Sequence, residues 1–359
     1  MIPLSDRERG EAERLLNNAL GAEIQTLAAQ AGTEDIAINP DGRAFVYGSV
    51  GKRRLETQFD ADRRQQIVTL AARFAGIVAE GRGRLSFAAD LPGQIRFQGG
   101  IPPRAVGGPY VVLRFLPRTI RSFGDYVADG VAPIAGREVH FAQEETDTIG
   151  QGLPTMDCIA AALANKLTVA VFGETGSGKT SLLTSMANHP AVQPDRLVTL
   201  EDTPEMQFPC VADVLRLSSI GLDMADLLKD ALRCRPDRII LGEARDGVLW
   251  VFIMAQYTGH TGGLVTLHAS NPADFFDRIE QMVAQAGIDP VPQRRVLMKT
   301  LQRIIWIRRR AGGGRDIVGV FRPGGCDETT GYRLTRVDVP HQLNTGYNIS
   351  GNSSSELIQ

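Results

Sequence analysis

"VAVFGETGSGKTSLLTSM", residues 169–186, decides the fold. It opens on an apolar run of the kind that forms a strand buried on both faces. Gly173, Gly176, Gly178, Lys179 and Thr180 then satisfy G-x-x-x-x-G-K-[ST], with a helical run directly behind them. Glycines let successive backbone N–H groups curl around an anion, and the helix start adds its dipole. The loop Gly173, Glu174, Thr175, Gly176, Ser177, Gly178, Lys179, Thr180 and Ser181 is therefore the expected cradle for the phosphates of a nucleotide. Lys179 is placed to reach the β- and γ-phosphates, and the Thr180 hydroxyl to complete a Mg²⁺ shell. Strand, loop and helix in that order read as a P-loop NTPase.

The surrounding chain supports that architecture. "LTVAVFG", "RLVTLED", "RIILGEA" and "GLVTLHA" are near-continuous apolar segments alternating with helical stretches, the pattern of a buried parallel sheet in an α/β domain. Ahead of them, residues 5–30 read as an amphipathic helix covering its own domain's sheet. "RLSFAAD", "QIRFQGG" and "YVVLRFL" alternate as strands, so the first part of the chain reads as a smaller α+β domain. The expected organisation is an N-terminal α+β domain over 1–120, a linker over 121–150, the P-loop domain over 151–322, and a tail over 323–359, partly disordered. Within the tail, "GYRLTRVDVP" can add a strand.

A P-loop does not by itself separate a kinase, a GTPase, a helicase or a motor, and the carboxylates narrow the choice. "RLVTLEDTPEM" ends a strand with Glu201, Asp202 and Glu205, and "RIILGEARD" ends another with Glu243 and Asp246. Ligands bind beyond the carboxyl ends of parallel strands, so both acidic groups can face the P-loop. "IILGE" resembles a Walker B strand with Gly242 where the usual Asp would stand, which leaves Glu243 as the acid. Glu243 and Glu201 are thus candidates to hold Mg²⁺, partly through water, or to orient and deprotonate the attacking water.

Bulk properties set limits. The 359 residues carry a net charge of -2, with 43% hydrophobic and 22% charged residues, as in a globular protein of two domains. No concentrated basic–aromatic surface points to sequence-specific nucleic-acid binding, which disfavours a helicase. Four scattered cysteines give neither a zinc-ribbon spacing nor a disulfide framework, so a reducing cytoplasm is expected. The N-terminus reads as no secretory signal, and no apolar run reaches bilayer-spanning length. Any membrane contact is expected to be peripheral.

The order P-loop, "LEDTPE", "LRCRPDRIILGEARD", "TGHTGGLVTLHASNP" resembles the traffic ATPases of the type II/type IV secretion superfamily. Their Walker A, Asp, Walker B and His boxes follow one another in this way. "RFQGGIPPRAVGGPYVVLRFLPR" is most similar to the conjugal-transfer (Trb-type) type IV secretion branch. The resemblance implies a RecA-like ATPase domain behind a PAS-like N-terminal domain. It also implies a homo-hexamer that works with inner-membrane components of a secretion or conjugation machine, at the cytoplasmic face of the inner membrane. A type II secretion or pilus retraction motor, and a nucleotide-gated scaffold with low turnover, stay open as alternatives.

The same resemblance gives the histidines a reading. His268, at the end of "GLVTLHA", can sense the γ-phosphate, and His260 in "TGHTGG" is expected beside the same edge. A zinc site would need further Cys or His ligands nearby, and the sequence offers none. The resemblance also implies arginines from the N-terminal domain that close over the phosphates. Arg96 and Arg114 match those positions, with Arg104 and Arg118 as neighbours. Arg233, Arg235 and Arg245 are expected to face an adjacent subunit.

Overall fold

The computed structural model describes residues 6–30, 32–49, 51–77, 86–115, 148–219, 223–310, 315–327 and 331–340. The chain divides into two compact units, Met1–Ala142 and Gln143–Gln359. Most of the expected linker, and Arg118, lie outside the described residues.

In the first unit, helix α1 (Asp6–Ala29) carries Ala12, Leu16, Leu20, Ile24 and Leu27 on one buried stripe. The helix is broken at Gly21, whose φ of 79° is open to glycine at little cost. Arg63, on α2 (Ala61–Phe74), donates to the freed carbonyls of Ala19 at 2.8 Å and Leu20 at 2.9 Å. Six strands follow: β1 (Thr33–Ile38), β2 (Ala44–Gly48), β3 (Gly51–Arg54), β4 (Ser86–Leu91), β5 (Ile95–Gly100) and β6 (Tyr110–Phe115). They form an antiparallel sheet in the order β3-β2-β1-β6-β5-β4. Ile36, Ile38, Val111 and Leu113 share a face and pack with Leu16, Leu20, Ile24, Ile67 and Val68. Each such buried side chain contributes about 1.5–3 kcal/mol, so the helices cover their own sheet.

Alternation sends the neighbouring residues to the other face. There Asp90, Arg96, Arg114 and Asp35 stand in one row across β4, β5, β6 and β1, each in register with the next. Arg114 Nε lies 2.8 Å from Asp35 Oδ1, and Arg96 Nε lies 3.8 Å from Asp90 Oδ1.

The second unit is built on eight strands in the order β14-β13-β12-β7-β11-β10-β8-β9. These are β7 (Val169–Gly173), β8 (Leu197–Glu201), β9 (Val214–Ser218), β10 (Arg238–Leu241), β11 (Leu264–His268), β12 (Arg303–Arg309), β13 (Arg315–Asp327) and β14 (Gly331–Arg336). From β12 to β9 every pair is parallel, while β13 and β14 are antiparallel additions. Every residue of β7, β8 and β10 is buried, as their unbroken apolar sequences require. Helices α3 (Thr155–Ala164), α4 (Lys179–Ala187), α5 (Met224–Leu232), α6 (Val248–Tyr257), α7 (Pro272–Gln285) and α8 (Pro290–Thr300) alternate with the strands. No helix separates β8 from β9; residues 202–213 cross over without one.

The sheet runs through the boundary that the sequence suggested at Arg322. β13 spans it, and a register shift between Pro323 and Gly325 accommodates the proline. β14 is anchored by Tyr332, whose ring stacks on Phe276 of α7 at 4.0 Å and whose hydroxyl donates to Glu280 at 2.6 Å. Beyond it, the buried Asp338 accepts from Val320 N at 3.0 Å, Arg336 Nε at 2.9 Å and Thr155 Oγ1 at 2.5 Å.

At the amino edge of the parallel strands sit three fully buried arginines, Arg196, Arg238 and Arg303. Arg238 donates to Asp195 at 2.6 Å and to Leu163 O at 2.7 Å, and Arg196 pairs with Asp213. Pairing of this kind is what lets a buried charge persist. The carboxyl edge is where the P-loop and the acids meet.

Candidate nucleotide site

β7 ends at Gly173, and the loop turns through Gly176 (φ 75°) and Gly178 (φ 95°) into α4. Both angles lie in the left-handed region that a side chain disfavours by roughly 1–2 kcal/mol. Gly178 caps α4 without a side-chain hydrogen bond, so the first-turn N–H groups have no side-chain acceptor there. Such a terminus is a ready anion site. Lys179 folds back over the loop, donating to Gly173 O and Glu174 O, each at 2.9 Å. Burial lowers its pKa, with Glu243 opposing that shift.

The register of β11 and β7 sets His268 directly beside Gly173. His268 Nδ1 lies 3.3 Å from Lys179 Nζ and 3.4 Å from Thr175 Oγ1. Its Nε2 lies 3.1 Å from Glu243 Oε1. Burial, and then the Lys179 charge, push the imidazole below its ordinary value despite Glu243, so it is neutral at neutral pH. One ring nitrogen then carries the proton. The carboxylate can only accept and the ammonium can only donate, which assigns the Nε2–H tautomer from the network.

Glu243 follows β10 and is gripped by Arg245, whose Nε and Nη2 donate to its two oxygens at 3.1 and 2.9 Å. Burial pushes the Glu243 pKa up, but the Arg245 hydrogen bonds, His268 and Lys179 outweigh it and hold the carboxyl low. Arg245 Nη1 also reaches Asp202 at 3.4 Å. Within its own chain Arg245 is thus bound to Glu243 and Asp202, with its side chain 57% exposed. A clamp two residues past the Walker B acid is the feature that sequence reasoning missed, although the "GEARD" spacing carries it. Beyond it opens a cleft of about 670 Å³ lined by Asp202, Glu243, Arg245 and Asp246.

Glu201 takes a different part from the one expected. Its Oε2 accepts from Glu205 N at 2.7 Å and Met206 N at 2.9 Å, and Oε1 faces Arg216 at 3.5 Å. The buried carboxylate pins the turn after β8 instead of joining Lys179, His268 and Glu243. Gly242 makes room for it: a Cβ there would press on Glu201 Cγ at 3.2 Å and Leu200 O at 3.3 Å. His260 is also displaced from its expected edge. It precedes β11, whose start pairs with the start of β7 (Leu264 with Val169), so it lies at the amino edge, away from the P-loop. Arg96 and Arg114 belong to the first unit, in the row with Asp90 and Asp35. Arg104 is buried in the turn before β6.

Among the described residues, no group of three or more His, Cys, Asp or Glu is arranged to hold a metal by itself. Magnesium bound with a nucleotide needs fewer protein ligands, because phosphates and water fill its shell. Thr180, at the start of α4, and Glu243 fit that need, whereas Glu201 is already held by backbone donors.

A phosphate cradle at the carboxyl edge of a parallel sheet, with a lysine, a histidine and a carboxylate in contact over it, defines the RecA-like P-loop NTPase class. Residues 137–339 match the family described as Type II/IV secretion system protein, and the chain belongs to that family. It is 33% identical over 317 residues to the probable conjugal transfer protein TrbB of Sinorhizobium fredii, covering 86% of this chain and 90% of that one. It is 30% identical over 294 residues to the protein VirB11 of Rhizobium radiobacter, covering 76% and 83%. The crystal structure of the VirB11 ATPase from the Brucella suis type IV secretion system, in complex with sulphate, superposes with a TM-score of 0.76 at 25% identity. That match covers 88% of this chain and 97% of that one. Nucleotide use with a divalent metal, and ATPase activity in general, go with the family.

Proposed function

We propose that this chain hydrolyses ATP to ADP and phosphate, with Mg²⁺, as the motor of a type IV secretion machine of the conjugal-transfer kind. The contact chain Lys179–His268–Glu243 at the P-loop carries the reading. The similarity to TrbB and VirB11 supports the type IV client over a type II or pilus retraction one. In the state described, Lys179 satisfies itself on loop carbonyls and on His268. Arrival of phosphates offers Lys179 stronger, charged acceptors. Its ammonium then leaves Nδ1 of His268, and the histidine is freed to report the γ-phosphate to Glu243.

Glu243 orients the attacking water and takes its proton. While Arg245 holds both oxygens the carboxylate is a weak base, so the clamp must open before the chemical step. Thr180 and Glu243 would hold a Mg²⁺ that arrives with the nucleotide, and the ion would supply charge neutralisation at the phosphates. Among the described residues no helix is long and apolar enough to cross a membrane. The similarity to TrbB and VirB11 supports a homo-hexamer acting peripherally at the cytoplasmic face of the inner membrane on membrane-embedded partners.

The test is steady-state ATP hydrolysis against protein concentration, for the wild type and Glu243→Gln. Specific activity that rises with concentration, with a variant that binds ATP but does not turn it over, supports an oligomeric motor. A flat profile and an equally active variant would replace it with a nucleotide-gated scaffold.

A further inference from the structure

Residues 308–316, "RRRAGGGRD", hold four arginines and one acid. The acid is already taken: Asp316 pairs with Arg310, and Arg308 Nε lies 4.0 Å from it. That leaves Arg309 and Arg315, which are register partners at the turn end of the β12–β13 hairpin. Both side chains are exposed, and neither makes a hydrogen bond or ion pair among the described residues. Like charges directly opposite each other on a strand pair are destabilising unless an anion joins them.

The hairpin places this uncompensated charge at the phosphate cradle. β12 runs parallel to β7, with Trp306 in register with Phe172, and the Ile307 carbonyl lies against Gly173. Arg315 rests on Gly178 itself: a Cβ on that glycine would stand 2.6 Å from Arg315 Nε and 3.3 Å from Cζ. Gly178 thus serves a second purpose besides its positive φ, because it lets a guanidinium approach the point where α4 begins.

We infer that Arg315 is a nucleotide-binding residue of this chain, donating its guanidinium to the diphosphate of the bound nucleotide beside Gly178, with Arg309 adding positive potential behind it. The inference rests on the P-loop reading above. A planar guanidinium with five donors suits a phosphate oxygen pair better than a point charge does. The diphosphate is the target because the loop's backbone N–H groups gather it at the start of α4, where Arg315 lies. Lys179 engages the cradle from its own loop, and Arg315 reaches it from a neighbouring strand pair.

Calorimetric titration of the full-length protein with ADP tests this on Arg315→Ala, Arg315→Met and Arg315→Lys. Met keeps the methylenes over Gly178 and removes the charge. Ala and Met are expected to weaken ADP binding about tenfold, the range of one charged hydrogen bond, while Lys stays within about threefold of the wild type. A Met variant that binds ADP as tightly as the wild type would show that Arg315 only packs, and would overturn the inference alone. Wild-type protein that binds no ADP would overturn the P-loop reading and the inference together.

Discussion

His268 Nε2 and Glu243 Oε1 stand 3.1 Å apart at the ends of β11 and β10, strands that pair directly with each other. The contact joins the residue facing Lys179 to the acid expected to activate water. His268→Ala removes both the acceptor for Lys179 and the donor to Glu243. The expected outcome is a fall in kcat of about 10²-fold, with ATP affinity changed far less. Stopped-flow binding and steady-state hydrolysis on the same preparation separate the two, and a loss of affinity alone would count against the relay.

The pH profile carries the sign of the His268 shift. Burial and Lys179 hold its pKa below the ordinary histidine value, so the neutral ring persists as pH falls through about 6.5. Hydrolysis is expected to stay flat from pH 8 to 6.5 and to decline only below that. A decline centred at pH 6.5 or above would contradict the assignment.

Arg245 predicts a displacement of that acid limb. Its hydrogen bonds help hold the Glu243 carboxyl low, so Arg245→Ala raises the pKa of Glu243. Arg245 also lowers the His268 pKa, so the acid side of the kcat profile is expected to move to higher pH through both groups, and an unmoved limb would remove Arg245 from the control of the His268–Glu243 pair.

Glu201 and Glu243 separate by stability. Glu201→Gln turns the charged oxygen that accepts both backbone N–H groups into a weaker, neutral acceptor at a buried site and is expected to cost about 1–3 kcal/mol in urea unfolding. Glu243→Gln, at the open edge, is expected to leave unfolding within about 0.5 kcal/mol while abolishing turnover. Equal stabilities for the two variants would contradict the structural role of Glu201.

Asp338 ties the end of the chain's ordered sheet to stability in acid. Burial pushes its carboxyl pKa up, yet Arg336, Thr155 and the Val320 N–H outweigh that and hold it below the ordinary value. Its stabilisation is therefore complete above the unfolded-state pKa of about 3.9 and is lost as pH falls through the lower folded value. Asp338→Asn is expected to be about 1–3 kcal/mol less stable at pH 7, with the difference shrinking towards pH 2. A constant difference across that range would exclude the carboxylate as its source.

Much of this was legible in the sequence because its signals are local. The P-loop geometry is written in three glycines, Gly173, Gly176 and Gly178, and β7, β8, β10 and β11 are largely apolar on both faces. β12 and β13 were less legible, since "RIIWIRR" ends in charges and β13 contains Pro323, Gly324 and Gly325. β12 joins the sheet by pairing with β7, more than 100 residues away, and β13 by pairing with β12 and β14. The same non-locality explains Glu201 and His260. Which way a carboxylate turns, and which edge a loop histidine occupies, depend on neighbours that no short motif contains.

The row Asp90–Arg96–Arg114–Asp35 travels with its own counter-ions. An anion reaching it would share each guanidinium with a carboxylate already beside it, so its hold there is weaker than on an unpaired arginine. A cyclic machine has more use for a handhold than for a lock.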